Sequence, residues 1–197
     1  MKIIIASQNK HKIIEFKRIL KEFDVEVISQ GEANIEVHAE ETGTSFRENA
    51  FLKAKAVCDV SNLITIADDS GMCIDAFNGE PGIYSSRYLG EDTPYEIKNQ
   101  IILDKLSDVK EENRGAQYVC VICCVFPNGD KIEVECKCEG KIGYKSQGVN
   151  GFGYDPIFVV NNKSFAEISD EEKDKVSHRG QALRAFEAEF SKYIKEH

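Results

Sequence analysis

The chain has 197 residues, 34 of them acidic and 25 basic, for a formal net charge of −9. That balance excludes sequence-independent binding to DNA or RNA, which needs a basic face to displace counterions. It leaves room for a nucleotide met by local cations and a divalent metal. Hydrophobic residues make up 42% and charged residues 30%, ordinary for a soluble globular chain, and the length fits one domain over residues 1–197 with two lobes. No apolar run approaches the roughly 20 residues of a membrane span, so no membrane partner is expected. Met1 to Ser7 lacks the pattern of a secretory signal, which makes the cytoplasm the expected location.

Strand-like and helix-like patterns alternate along the chain. Lys2 to Ala6 reads as a first strand, and Ile13, Phe16, Leu20 and Phe23 then recur at helical spacing. Val25 to Ile28 predicts a second strand. After the acidic stretch Asn34 to Thr44, Ser45-Phe46-Arg47-Glu48 has the spacing of a capping box, and the helix behind it puts Phe46, Ala50, Ala54 and Val57 on one face. Leu63 to Ala67 predicts a buried strand whose mouth is Asp68-Asp69-Ser70-Gly71, and Met72 to Ala76 a further short strand closed by Asn78-Gly79. Thr93-Pro94-Tyr95-Glu96 reads as a second capping box with proline at the first helical position, opening a helix to about Leu106. Asn128-Gly129 signals a hairpin within Gln117 to Cys138. A glycine-rich stretch, Gly140 to Gly153, leads to the apolar piece Pro156 to Val160, and a last helix carries Leu183, Phe186, Phe190 and Ile194 on one side. The mixture of βαβ units and a hairpin predicts an α/β fold with a mixed sheet.

The seven cysteines are an odd number, which speaks against a disulfide framework. With Asn128-Gly129 as a two-residue loop, Cys123 faces the side of Val134, Cys136 and Cys138, while Cys120 and Cys124 face the other. Thiolates so divided do not converge on a zinc ion. Buried free thiols are the expectation.

Four clusters carry possible chemistry. Two adjacent carboxylates, Asp68 and Asp69, at the mouth of a buried strand repel each other unless a cation relieves them, although Asp, Ser and Gly also make ordinary turns. Ser7-Gln8-Asn9-Lys10-His11-Lys12, between the first strand and helix, is a possible phosphate cradle or an ordinary helix cap. Glu40-Glu41-Thr42-Gly43 offers carboxylates of the kind that bind magnesium together with substrate phosphates, with Lys53 two turns into the following helix. Gly151-Phe152-Gly153-Tyr154-Asp155-Pro156 offers aromatics that can stack a base, joined later by Lys173 and Ser177-His178-Arg179. Each cluster alone has a bland structural reading. Together they form a parts list for a nucleoside triphosphate.

With these motifs in hand, the chain closely resembles the inosine triphosphate pyrophosphatase family, also called XTP/dITP diphosphatases, which hydrolyse non-standard purine nucleoside triphosphates. The residues carrying the resemblance are Ser7-x-Asn9-x-x-Lys12, Glu40-x-x-Gly43, Phe46-x-Glu48-Asn49-Ala50, Ala67-Asp68-Asp69-Ser70-Gly71 and Pro81-Gly82-Ile83-Tyr84-Ser85-x-Arg87. They continue with Gly151 to Pro156, Ala166-Glu167, Lys173 and Ser177-His178-Arg179, spanning nearly the whole chain. Ser7 stands where many members carry threonine, and both offer a hydroxyl.

The resemblance implies a long mixed central sheet flanked by helices, two lobes enclosing a nucleotide cleft, a homodimer and a requirement for Mg²⁺. By position it implies that Glu40 and Asp69 ligate the metal, that Asp69 is also the general base, and that Asp68 and Glu41 support them. Ser7, Gln8, Asn9, Lys10, His11, Lys12, Lys53 and Ser70 would hold phosphates. Phe152 would stack on the purine with Gly153, Tyr154 and Asp155 beside it, and Lys173, His178 and Arg179 would meet the base and the neighbouring phosphate. The expected reaction is hydrolysis of dITP, ITP or XTP to the monophosphate and pyrophosphate. The alternatives are a pyrophosphatase for other modified nucleotides and a nucleotide sensor without turnover.

Overall fold

The structure, a computed structural model, describes residues 1–22 and 25–196. Phe23, expected on the buried face of the first helix, lies outside the described residues. The chain forms two compact units, the first from Met1–Asp69, Cys120–Cys136 and Arg179–His197, the second from Ser70–Val119 and Lys137–His178. Among the described residues no helix is long and apolar enough to cross a membrane.

The first unit is built around β1 (Lys2–Ile5). It runs parallel to β2 (Glu26–Ser29) on one side and to the start of β3 (Ile64–Ile74) on the other, with Ile3 opposite Val27 and Ile64. A parallel strand covered on both faces reads as a continuous apolar run, and Ile3, Ile4 and Ile5 are all buried. Helices α1 (Lys10–Ile19) and α5 (His178–Glu196) cover one face, where Ile3, Ile5 and Ile66 meet Phe16, Leu183 and Phe186. Helix α2 (Phe46–Ser61) covers the other, where Ile4 and Ala67 meet Ala50, Ala54 and Val57. Each large aliphatic or aromatic side chain so enclosed contributes about 1.5–3 kcal/mol relative to exposure. The apolar stripe of α5 does not end as expected. Ile194 is 43% exposed, and Tyr193 packs instead, its ring 4.1 Å from that of Phe126. The stripe steps by three residues after Phe190 rather than by four, which is equally compatible with a helical period.

The hairpin of β4 (Gly115–Val125) and β5 (Lys131–Ile142) corrects the expected cysteine faces. The Phe126 amide donates to the Asp130 carbonyl at 2.9 Å and the Gly129 amide to the Phe126 carbonyl at 3.0 Å. The loop is therefore Pro127-Asn128-Gly129, with Gly129 at φ +93°, rather than Asn128-Gly129 alone. A turn followed by a left-handed glycine makes a three-residue hairpin loop, and one added residue moves every side chain of the returning strand to the other face. Val134 and Cys136 accordingly pack with Cys120 and Cys124, while Cys123 lies on the α2 face. The seven cysteines are free thiols. Burial raises the thiol pKa of Cys123 to about 12 and of Cys138 to about 11.

The second unit has its own core, in which Met72, Ile74, Ile102, Leu106, Tyr118, Phe158 and Phe165 pack together. Helix α3 (Tyr95–Lys105) starts without the expected capping box. Pro94 is the cap residue, and the Thr93 hydroxyl donates to the Leu89 carbonyl instead. Short antiparallel strands β6 (Phe158–Val160) and β7 (Lys163–Ser164) follow, then α4 (Asp170–Val176) behind a Ser169–Glu172 capping box. Arg114 is fully buried, its guanidinium donating to the carbonyls of Leu106, Ile142 and Gly143. Backbone oxygens thus take the place of a carboxylate.

The strands hydrogen-bond in the order β2-β1-β3-β4-β5-β6-β7, a mixed sheet of an α/β fold. Its largest departure from expectation is β3. The pattern predicts a strand, an Asp-Asp-Ser-Gly mouth and a second strand, but Ile64–Ile74 is one strand of 11 residues. Gly71 serves a close approach, not a turn. A Cβ there would lie 2.2 Å from the Gly82 carbonyl oxygen and 2.4 Å from Ser85 Oγ, and that hydroxyl accepts the Met72 amide at 2.9 Å.

Candidate active site

Because β3 is unbroken, Asp68 and Asp69 point to opposite faces of the sheet. Asp68 faces α1 and α5. Its Oδ2 accepts from Lys12 Nζ at 3.0 Å and from Arg179 Nη2 at 3.0 Å, and Arg179 Nη1 also bonds Glu15 of α1. Asp69 faces α2. Its Oδ1 accepts from Lys53 Nζ at 2.8 Å, its Oδ2 lies 3.4 Å from Asn49 Nδ2, and Lys53 also bonds Glu41 at 2.8 Å. The repulsion expected of adjacent carboxylates is relieved by geometry, with each acid meeting its own cation.

The two acids titrate in opposite directions. Burial pushes the Asp68 carboxyl up, but the charges of Lys12, Arg179 and Lys53 outweigh it and hold Asp68 well below the usual carboxylate range. At Asp69 burial prevails. It raises the pKa against the pull of Lys53 and Lys12, with the Glu41 charge adding to the rise. Burial opposes the charged form of Lys53, yet Asp69, Asp68 and Glu41 together raise its pKa, so it stays an ammonium. One carboxylate is thereby locked in its ionised form, and its neighbour is made more basic.

Around the expected phosphate cradle, Asn9 is the cap of α1. Its Oδ1 accepts the His11 amide at 3.0 Å and the Lys12 amide at 3.2 Å, while Ser7 Oγ accepts the Asn9 amide. Two amides at this helix start thus already have a side-chain acceptor. Lys10 and His11 are exposed, and Gln8 Nε2 lies 3.3 Å from the His38 ring nitrogens. Glu40 is exposed, and Ser70 is half-buried. Among the described residues no three His, Cys, Asp or Glu side chains converge on a metal site. The charged acceptors at Lys53, the carboxylates of Glu41 and Asp69, are hard oxygens of the kind that suit a cation such as Mg²⁺, which completes its shell with water and substrate phosphates.

In the second unit, the Gly151 to Pro156 loop closes on a buried ion pair. Asp155 Oδ2 accepts Lys173 Nζ at 2.7 Å and the Phe152 amide at 2.8 Å. Gly151 has φ +71°, and a Cβ there would lie 2.1 Å from Asp155 Oδ2, so the carboxylate occupies the space a side chain would need. The Lys173 ammonium sits 4.8 Å from the Phe152 ring centroid, a cation–π contact. The Tyr154 hydroxyl donates to the Ser85 carbonyl at 2.7 Å. His178 is buried and stacks on Tyr118, with ring centroids 4.5 Å apart and planes 4° from parallel. Arg179 is 3% exposed and held by Asp68 and Glu15.

The structure brings Lys12, Asp68 and Arg179 into one cluster, Glu41, Lys53 and Asp69 into a second, and Phe152, Asp155 and Lys173 into a third. Sequence reasoning quoted Asn49 and Ser85 in its motifs without giving them a role, and it missed Glu15 and Asn99, whose Nδ2 donates to the Gly153 carbonyl. Glu15 carried a local signal, lying three residues after Lys12 on the same helical face.

An α/β chain with acid–base clusters at a mid-strand aspartate pair and an aromatic loop has the makings of a nucleotide-handling enzyme. The chain belongs to the Ham1 family, whose model matches residues 3–189. It is 44% identical over 190 residues to the dITP/XTP pyrophosphatase of Clostridium perfringens, covering 92% of this chain and 93% of that one. It is also 44% identical to the dITP/XTP pyrophosphatase of an Exiguobacterium species, covering 99% of this chain and all of the relative. Among solved structures, the Staphylococcus aureus Ham1 protein superposes with a TM-score of 0.87 at 41% identity, covering 98% of this chain and 100% of that one.

Proposed function

We propose that this chain hydrolyses dITP and XTP at the bond between the α- and β-phosphates, leaving the nucleoside monophosphate and releasing pyrophosphate. The observation that carries the reading is Asp69, a buried carboxylate bonded to Lys53 and set on the opposite face from the ion-paired Asp68. Full-length similarity to dITP/XTP pyrophosphatases supports the same reading.

Asp69 is assigned the general base that orients and deprotonates a water aimed in line at the α-phosphorus. Lys53 and Lys12 supply positive charge for the phosphates, with Ser70 and the start of α1 as further donors. Glu40 and Asp69 would hold Mg²⁺, with Glu41 in support. A metal held there would supply positive charge to offset that developing on the leaving pyrophosphate.

Phe152 is assigned the stacking platform for the purine, its amide and ring oriented by Asp155 and Lys173. His178 and Arg179 are the donors proposed for the oxygen at C6. A site built to donate to that oxygen leaves its donors unpaired against the amino group of adenine, which can disfavour the wrong base by up to about 10⁴–10⁵. The same reading carries a homodimer, checked by light scattering of the purified chain.

The test is pyrophosphate release, with Mg²⁺, from dITP, XTP and the four standard deoxynucleoside triphosphates. Strong release from the first two and little from the rest is expected. Equal release from all six would retain the phosphate chemistry and discard the base selectivity. Magnesium-dependent binding without release would replace the enzyme by a sensor.

A further inference from the structure

The loop that carries Phe152, Tyr154 and Asp155 is held from α3. Tyr95, Lys98 and Asn99 of that helix, at i, i+3 and i+4, share one face. The Tyr95 ring meets Tyr154 edge-on at 5.1 Å, and a Cβ on Gly153 would come within 3.6 Å of it. Lys98 Nζ donates to the Ser86 carbonyl at 2.8 Å, next to Ser85, whose carbonyl takes the Tyr154 hydroxyl. Asn99 Nδ2 donates to the carbonyl of Gly153 at 3.1 Å.

Asn99 stands out among the three. It is 2% exposed, and its Oδ1 has no hydrogen-bond donor among the described residues. A half-satisfied buried amide is rare enough to need an account. An apolar side chain there would avoid the unpaired oxygen but leave the Gly153 carbonyl without this donor. What the amide supplies is its bond to Gly153, which has φ +69° and stands between Phe152 and Tyr154 in the chain. The turn's own backbone bond, from the Asp155 amide to the Phe152 carbonyl, is long at 3.3 Å.

We propose that Asn99 is a positioning residue for the purine. By fixing the Gly153 carbonyl it fixes the orientation of Phe152, and so it acts on the base and not on the phosphates. This rests on the nucleotide reading above. In the wild-type enzyme Asn99 lowers the KM for a purine triphosphate and leaves the chemical step alone.

The experiment compares wild type with Asn99→Leu, which keeps the branched shape, though larger, and removes both the donor and the orphan oxygen. The KM for dITP is expected to rise about five- to tenfold, the scale of one lost hydrogen bond, with kcat within about twofold. The inhibition constant of inorganic tripolyphosphate, which has no base, is expected to stay at the wild-type value. Asn99→Asp, which turns a carboxylate oxygen toward the Gly153 carbonyl, is expected to show the same split and carries the test if the leucine variant precipitates. If wild type fails to hydrolyse dITP, the nucleotide reading falls and takes this role with it. If wild type is active but the variants keep its KM, or shift KM and the tripolyphosphate constant together, only the role of Asn99 falls.

Discussion

In the first unit, Asp68 is met by the side-chain cations Lys12 and Arg179, and Arg179 is shared with Glu15. In the second unit, Asp155 is met by the Lys173 side chain and by the backbone amide of Phe152. Both carboxylates are buried, yet they serve different ends. The first arrangement ties side chains of α1, β3 and α5 to one another and fixes where charge lies. The second ties a side chain to the backbone and fixes the shape of a loop. A phosphate chain needs the former and a planar base the latter, so the contrast matches the roles proposed for Lys12 and for Phe152.

The sharpest way to break that contrast is at Asp69, the acid left with raised basicity. Asp69→Asn is expected to lower pyrophosphate release from dITP by about 10²–10⁴-fold with an unchanged far-ultraviolet dichroism spectrum. Full activity in the folded variant would remove Asp69 as the base. A smaller effect, on stability, separates the two buried pairs. Arg179→Met leaves Asp68 and Glu15 without their shared cation and is expected to cost about 3–5 kcal/mol in urea unfolding. Lys173→Met is expected to cost less, about 1–3 kcal/mol, because the Phe152 amide still serves Asp155. Equal losses would erase the distinction between a charge lattice and a loop clasp.

The smallest effect is expected at an exposed pair. Lys17 and Glu32 bond at 2.6 Å, with side chains 36% and 52% exposed. The hydrogen bond from Lys17, followed by the Ser29 amide, lowers the Glu32 pKa from 4.5 to about 2. A carboxyl depressed on folding adds stability above its unfolded pKa and loses it as the pH falls through the folded one. Glu32→Gln should therefore flatten the decline in stability between pH 4.5 and 2, modestly and less in high salt. An unaltered acid limb would show that the pair contributes nothing measurable.

Much of the fold was legible because its signals are local. The 3.6-residue spacing of Phe16 and Leu20, and of Ala50, Ala54 and Val57, locates helices whose buried faces are those residues. The apolar run at Ile3 to Ile5 locates a strand covered on both sides. What failed were features decided at a distance. Asp-Asp-Ser-Gly has the composition of a turn, and the strand runs through it because Gly71 admits the carbonyl of Gly82, 11 residues on. The charged residues were identifiable by type, but their partners were not. Glu15 and Arg179 lie 164 positions apart, and Asn99 meets Gly153 across 54. No periodicity carries that information.

The continuity of β3 also constrains how this chain can vary in length. Which acid meets Lys12 and which meets Lys53 depends only on whether an even or an odd number of residues precedes it in the strand. Deleting one residue between Ile64 and Ala67 would bring Asp69 to Lys12 and Arg179 and put Ser70 opposite Lys53, whereas inserting one would bring Asp68 to Lys53 and put Ala67 opposite Lys12. Substitution in that segment alters packing by degrees, whereas a change of one in its length deprives one lysine of its carboxylate. In β3, parity is as much a functional property as the identity of the aspartates.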